Sequence, residues 1–103
     1  MAYSLIVSEP ADKSIDEILD YIDKELDNPD AALSWLNRLE AVFDNLIEHP
    51  EMYPLARDPR IAMKGIRIAP LENHIVAYRA DNDDEMIFVV NVFFGARQYQ
   101  EFL

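Results

Sequence analysis

Arginine and tyrosine side chains recur in the last third of the chain, and they are the residues best suited to chemistry. The set is Arg67, Tyr78, Arg79, Arg97 and Tyr99. A guanidinium group can donate two parallel hydrogen bonds to a phosphate or a carboxylate. This set can therefore form a basic patch that binds an anionic group. The alternative for each arginine is an exposed ion pair with one of the 20 acidic residues, which is the commoner arrangement.

Other kinds of catalytic centre lack their usual residues here. The chain has no cysteine and only two glycines, so it offers neither a thiolate nor a glycine-rich phosphate loop. His49 and His74 lie in different predicted elements, and neither has a second ligand three or four residues away. We interpret His49 as the end of a helix and His74 as an exposed residue that begins a strand. We accordingly expect no metal and no cofactor.

Three apolar runs predict the strands that carry the arginines. Residues 64–70, 74–81 and 86–94 are rich in β-branched and aromatic residues and are separated by short polar breaks, which is typical of consecutive antiparallel strands. Residues 82–85 are turn formers and predict a hairpin. The last run is apolar except for Asn91, so we expect a central strand that is covered on both faces.

The first half of the chain predicts a strand and two helices. A short strand at residues 3–7 precedes a helix that Ser8 can cap. Asn28 can cap the second helix, which ends at His49 because a residue before proline disfavours the helical conformation. Apolar residues recur at spacings of three and four and form one stripe on each helix. The stripes are Ala11, Ile15, Ile18, Leu19, Ile22 and Leu26, then Ala32, Leu33, Leu36, Leu39, Val42, Phe43, Leu46 and Ile47.

Two features lie outside these stripes. Trp35 is one position off the second stripe, and we interpret it as a packing residue on the helix flank. Residues 49–63 contain three prolines and lack periodicity, so we expect an irregular connection that Met52, Tyr53 and Leu55 attach to the core.

The order of elements is β-α-α-β-β-β, and 103 residues suffice for one hydrophobic core. We therefore predict a single α+β domain over residues 1–103, in which a helical hairpin packs on a small, mostly antiparallel sheet. No apolar run approaches the roughly 20 residues that a membrane span requires, and no signal peptide is visible. We expect a cytoplasmic protein with no membrane contact.

The net charge of −11 is distributed unevenly. Residues 1–56 carry a net charge of −10, and residues 57–103 carry −1. We interpret the acidic half mainly as solvated helix faces. The acidic balance argues against direct nucleic-acid binding, which depends on neutralising phosphates, although a local basic patch in the second half is compatible with it.

Several motifs, in their order and spacing, resemble a known family. The chain has LIEHPEMYPLA after the second helix, then GIRIAP, NHIVAYRAD and finally VVNVFFGARQ. This arrangement resembles the toxins of the RelE/ParE superfamily, which belong to type II toxin–antitoxin modules of bacteria and their plasmids. The resemblance covers nearly the whole chain. It implies a cognate antitoxin as the partner and an oligomer formed with it.

The ParE-like branch is the more similar one, through HPEMYP, YRAD and VVNV. Members of that branch inhibit DNA gyrase and carry no catalytic machinery of their own. The resemblance therefore implies a non-enzymatic gyrase inhibitor that an antitoxin neutralises. The chain departs from that branch after the last strand, where Phe94-Gly95-Ala96-Arg97 replaces a histidine and paired basic residues.

Two alternatives stay open. The RelE-like branch cleaves mRNA in the ribosome without a metal, using basic residues and a tyrosine. Arg97 matches one arginine of that branch, but Ile75 stands where the branch has another, so the nuclease set is incomplete. If the chain is an endoribonuclease, Arg67, Arg79 and Arg97 would hold phosphate and Tyr99 would assist. The second alternative is a family member that only binds an antitoxin.

The charge also predicts how an antitoxin would bind. A toxin with a net charge of −11 would repel an acidic antitoxin, so binding would depend on apolar burial. We expect an apolar groove between the helical hairpin and the sheet edge, bordered by Arg67, Arg79 and Arg97. Together with Tyr78, these arginines are the predicted partner contacts. The affinity should then fall only weakly with salt.

Overall fold

The computed structural model describes residues 3–95 and 103, and in these residues helices pack on a four-stranded sheet. The strands are β1 Ser4–Val7, β2 Ile66–Leu71, β3 His74–Asp81 and β4 Met86–Phe94, and the helices are α1 Glu9–Asp20, α2 Pro29–Glu48 and α3 Pro59–Ala62. The strand order is β1-β4-β3-β2. β1 is parallel to β4, and the other two pairs are antiparallel. The predicted α+β fold with a mostly antiparallel sheet is confirmed.

Both long helices begin at the predicted caps, and α2 also ends at the predicted residue. Ser8 Oγ accepts a hydrogen bond from the Ala11 N–H at 3.1 Å, and Asn28 Oδ1 accepts one from the Ala31 N–H at 3.1 Å. Each bond satisfies an N–H group that has no partner within its own helix. α2 ends just before His49, as the following proline predicted.

A short helix in the connection before β2 corrects the expectation of an irregular segment. α3 begins after Asp58, whose carboxylate caps its first turn. The prolines concealed this turn, because proline at the first position of a helix costs no hydrogen bond. Ile61 and Ala56 are buried here, whereas Met52 and Leu55, which we expected to pack on the core, are 46% and 45% exposed.

Two apolar clusters lie on opposite faces of the sheet. The larger joins α1 and α2 to the inner face, and its buried residues are Ala11, Ile15, Ile22, Ala32, Trp35, Leu39, Val42, Leu46, Ala69, Leu71, Val76, Tyr78, Ile87, Val89 and Val92. The smaller consists of Ala56, Ile61, Ile66, Ile75, Ala77 and Phe93. The alternation of side chains along each strand sends neighbouring residues to different clusters. The helical hairpin therefore covers one face, as predicted, and α3 partly covers the other.

The buried face of α2 differs by one residue from the predicted stripe. Trp35 is only 2% exposed, which confirms it as a packing residue, while Leu33 is 59% exposed. Ala32, Trp35 and Leu39 follow spacings of three and four and set the buried face. Because Leu33 lies off this face, its placement in the buried stripe was wrong.

β4 is a central strand, as predicted, but among the described residues only its inner face is fully covered. Ile87 and Val89 are completely buried on that face, whereas Phe88 and Val90 on the outer face are half-buried. Ile6 of β1, which pairs with Phe88, is 49% exposed. The expectation of two covered faces was wrong because α3 contacts β2, at the far edge of the sheet.

Candidate partner-binding cleft

A cleft of about 930 Å³ opens between the helices and the adjoining ends of β3 and β4. Trp35 and His74 line it, together with three large side chains that are exposed to solvent. These are Tyr21 at 56%, Leu26 at 56% and Phe94 at 60% exposure. Several large apolar side chains exposed around one concave surface indicate a site of interaction.

The different lengths of β1 and β4 help to form the cleft. β1 ends at Val7, which pairs with Val89, whereas β4 continues to Phe94. The last five residues of β4 therefore have no β1 neighbour. α1 passes this end of the strand, and the cleft lies between it, α2 and the sheet.

Asn91, the one polar residue in the apolar run of β4, connects this strand to α1. Its Oδ1 accepts a hydrogen bond from Ser14 Oγ at 2.7 Å and another from the Val92 N–H at 2.8 Å. The Asn91 side chain thereby satisfies the Val92 N–H group, which lies near the end of β4 that has no β1 neighbour. Sequence analysis noted Asn91 as an exception but did not predict its role. A single amide side chain within an apolar strand was the signal that could have indicated this role.

A π-helical turn shapes the outer wall of the cleft. α1 continues into the π-helical segment Tyr21–Glu25, where the Leu26 N–H donates to the Tyr21 carbonyl, five residues back, at 3.2 Å. Such a turn contains one residue more than an α-turn and shifts the face that follows it. Leu26, predicted to end the buried stripe of α1, is therefore exposed beside the cleft, which corrects that prediction.

Three aromatic rings stack edge to face along the cleft. The His74 ring lies 5.3 Å from Trp35 and 5.3 Å from Phe94, between centroids. Burial lowers the pKa of His74 below its ordinary value, so the ring is neutral at pH 7. His74 was expected to be exposed, and the structure corrects this by placing it half-buried between these rings. Trp35 Nε1 and His74 Nδ1 have no hydrogen-bond partner among the described residues.

The mouth of the cleft carries charged groups of both signs. Arg38 of α2 forms an ion pair with Glu72, which lies in the turn between β2 and β3. Glu72 adopts a left-handed backbone conformation, with φ at 55°. Glu17 of α1 also lines the cleft. Among the described residues, no group of three or more ligand side chains is arranged to hold a metal ion.

Arg67 and Tyr78 face the helices and hold the connection that follows α2. Arg67 Nη1 donates to the Tyr53 carbonyl at 2.7 Å, and Tyr78 Oη donates to the Pro50 carbonyl at 2.9 Å. Tyr78 is 0% exposed, and burial raises the pKa of its hydroxyl, which keeps it protonated as a donor. Both residues thus attach a loop to the sheet.

Arg79 lies on the opposite face of the sheet from Arg67. Arg67 pairs with Tyr78, and Arg79 follows Tyr78 in β3, so its side chain projects from the other face. Its guanidinium lies 4.8 Å from the centre of the Phe88 ring.

A groove lies between the helices and the sheet, as expected, but neither Arg67 nor Arg79 lines it. The expected border of Arg67 and Arg79 was therefore wrong. Arg97 and Tyr99 lie outside the described residues.

Comparison with solved structures finds the same fold in toxin–antitoxin proteins, including the following three. The chromosomal ParDE system of P. aeruginosa is 18% identical, with a TM-score of 0.72, over 92% of this chain and 98% of that chain. The RelBE2 complex of Mycobacterium tuberculosis is 15% identical, with a TM-score of 0.64, over 91% and 99%. A free mutant of the E. coli toxin RelE is 17% identical, with a TM-score of 0.65, over 99% and 92%. No curated protein matches the chain.

The sheet, the helical hairpin and these neighbours define a small α+β protein with the RelE/ParE fold. A family model described as the ParE toxin of the type II toxin–antitoxin system parDE matches residues 5–99. The chain belongs to this family and is thus a toxin of the ParE/RelE superfamily, which confirms the resemblance found in the sequence. None of the helices that the structure describes is long and apolar enough to cross a membrane.

Proposed function

We propose that the chain inhibits DNA gyrase without cleaving a substrate, and that a cognate antitoxin neutralises it. The match to the ParE toxin model over residues 5–99 carries this proposal. The similarity to the ParDE system of P. aeruginosa supports it at the level of the fold. Ile75, which stands where the RelE-like branch has an arginine, is only 7% exposed in the smaller core cluster. It supplies no charge to hold a phosphate.

We propose the cleft as the antitoxin-binding surface. Tyr21, Leu26 and Phe94 expose apolar surface around a concavity, and an apolar helix face or an extended segment would bury it. Arg79 and Arg97 stay predicted contacts for gyrase or the antitoxin. Arg67 and Tyr78 would stabilise the fold instead of contacting a partner, because both donate hydrogen bonds to backbone carbonyls of the 49–55 connection.

Two assays test the proposed activity. The chain is expressed alone in a bacterium, and the purified protein is added to gyrase and relaxed plasmid. We expect growth to stop and supercoiled product to decrease, and we expect the matched toxin–antitoxin complex to leave both unchanged. Normal growth together with full supercoiling would refute gyrase inhibition.

A ribosome-dependent endoribonuclease is the second candidate. The RelE-like fold and the exposed position of Arg79 favour it. In this case Arg79 and Arg97 would hold phosphate and Tyr99 would assist, whereas Arg67 projects from the opposite face of the sheet. A translating extract should then show mRNA cleavage that Arg97→Ala removes, while gyrase stays active. The third candidate, a chain that only binds an antitoxin, predicts a stable complex with neither activity.

A further inference from the structure

The chain segment that forms one wall of the cleft has a large excess of negative charge. Residues 9–30 form α1, the π-helical turn and the start of α2, and they contain nine acidic side chains against Lys13 and Lys24. Glu17 from this segment lines the cleft. Across the cleft, Arg38 is already paired with Glu72, so it does not offset the charge of this wall.

We propose that the partner seated in the cleft is a cationic amphipathic segment. Its apolar side chains would contact Tyr21, Leu26 and Phe94, and its lysine or arginine side chains would face residues 9–30. This inference rests on the proposed role of the cleft in antitoxin binding, and it adds the chemistry of the partner. It also reverses the sequence-based expectation of weak salt dependence, because one side of the cleft is formed by residues 9–30, in which acidic side chains outnumber basic ones.

A second observation supports a bound segment. The Trp35 side chain is 2% exposed, and its Nε1 has no hydrogen-bond acceptor among the described residues. A buried donor of this kind is satisfied when a neighbouring group supplies an oxygen. A backbone carbonyl of a segment seated in the cleft is such a group.

Charge also argues against two other occupants. An acidic segment would be repelled by the wall formed by residues 9–30. A second copy of this chain would bring its own net charge of −11 against the same surface. Both are therefore disfavoured at low ionic strength and become separate outcomes of the test.

The single tryptophan makes binding directly measurable. Two synthetic peptides of about 18 residues, without tryptophan, carry leucines at the same helical spacing. One has lysines and the other has glutamates at all remaining positions. Each is titrated into the full chain while the emission of Trp35 is recorded. We expect the lysine peptide to bind at least about tenfold more tightly at about 0.05 M salt, and the difference to shrink near about 0.5 M.

Matched variants separate the cleft from the rest of the surface. Glu17→Lys with Asp20→Lys should reduce the affinity of the lysine peptide about tenfold. Asp83→Lys with Asp84→Lys changes the net charge equally at the distant hairpin tip, so it should change the affinity about twofold at most. Leu26→Ser should also weaken binding about tenfold, whereas Leu33→Ser, an equally exposed leucine outside the cleft, should not.

Each other outcome overturns the inference. Equal or tighter binding of the glutamate peptide would show that charge does not select the partner, and failure of both peptides would show that the cleft takes no such segment. Dimerisation of the chain that Leu26→Ser abolishes would identify a second copy as the occupant. A gyrase supercoiling assay on the same preparation reports separately on the proposed activity, so the two failures can be distinguished.

Discussion

Replacing Tyr78 with phenylalanine tests whether Tyr78, which was predicted to contact a partner, instead stabilises the fold. Tyr78→Phe keeps the ring, which is 0% exposed, and removes only the hydroxyl that donates to the Pro50 carbonyl at 2.9 Å. Losing one hydrogen bond and leaving a part-buried carbonyl without its partner costs about 1–2 kcal/mol. We therefore expect the midpoint of thermal unfolding to fall by about 4–8 °C for each kcal/mol.

Urea denaturation measures the loss in the free energy of unfolding, and thermal unfolding measures the shift of the midpoint. The exposed hydroxyl of Tyr3 provides the control. Tyr3 Oη donates to Asn82 Oδ1 at 2.8 Å in an exposed hydrogen bond, so Tyr3→Phe should cost less than about 0.5 kcal/mol. Binding of the antitoxin by folded Tyr78→Phe should equal that of the wild type. Weaker binding with unchanged stability would refute the reasoning and make Tyr78 a direct contact.

Three further predictions concern the core, a turn and the cleft. Leu39→Ala, at a site that is 1% exposed, should lower the free energy of unfolding by about 2–5 kcal/mol in urea. Gly65→Ala should cost about 1–2 kcal/mol by the same assay, because Gly65 has a φ of +79°. Burial lowers the pKa of His74, so the unfolded chain binds a proton at a pH where the folded chain does not. Stability should therefore fall as the pH drops below about 6.5, measured as the free energy of unfolding from pH 8 to pH 5.

Controls for these predictions come from the same chain. Leu33→Ala, at an exposed position of the same helix, should change stability by less than about 0.5 kcal/mol, and equal losses at both leucines would contradict the assigned face of α2. Gly65→Asn should be milder than Gly65→Ala, because asparagine tolerates positive φ better. His74→Gln should reduce the slope of stability against pH, and an unchanged slope would remove His74 as its cause.

The fold was predictable because local signals agreed with one another. Ser8 and Asn28 capped the helices as expected, and β4 proved to be central because its apolar run was continuous. The errors arose where tertiary contacts decided the outcome. Trp35 set the buried face of α2 in place of Leu33, and the π-helical turn exposed Leu26, a backbone irregularity that spacing cannot reveal.

The candidate site was harder to predict than the fold. The sequence correctly suggested a groove between the helices and the sheet. The arginines, however, led to a wrong prediction of the residues that border this groove. Only the pairing of Arg67 with Tyr78 shows that Arg67 and Arg79 project from opposite faces. The contact of His74 with Trp35 joins residues 39 positions apart in the chain, so no local pattern reveals it.

Relief of gyrase inhibition by the antitoxin tests the central claim most directly. Supercoiling is measured with a fixed inhibitory amount of wild type, Leu26→Ser or Leu33→Ser while the cognate antitoxin is titrated. All three should inhibit gyrase equally, and antitoxin should restore supercoiling for wild type and Leu33→Ser at equimolar amounts. Leu26→Ser should require about tenfold more antitoxin, since it loses apolar contact in the cleft. Restoration of all three at the same antitoxin concentration, or no inhibition by any of them, would contradict the account.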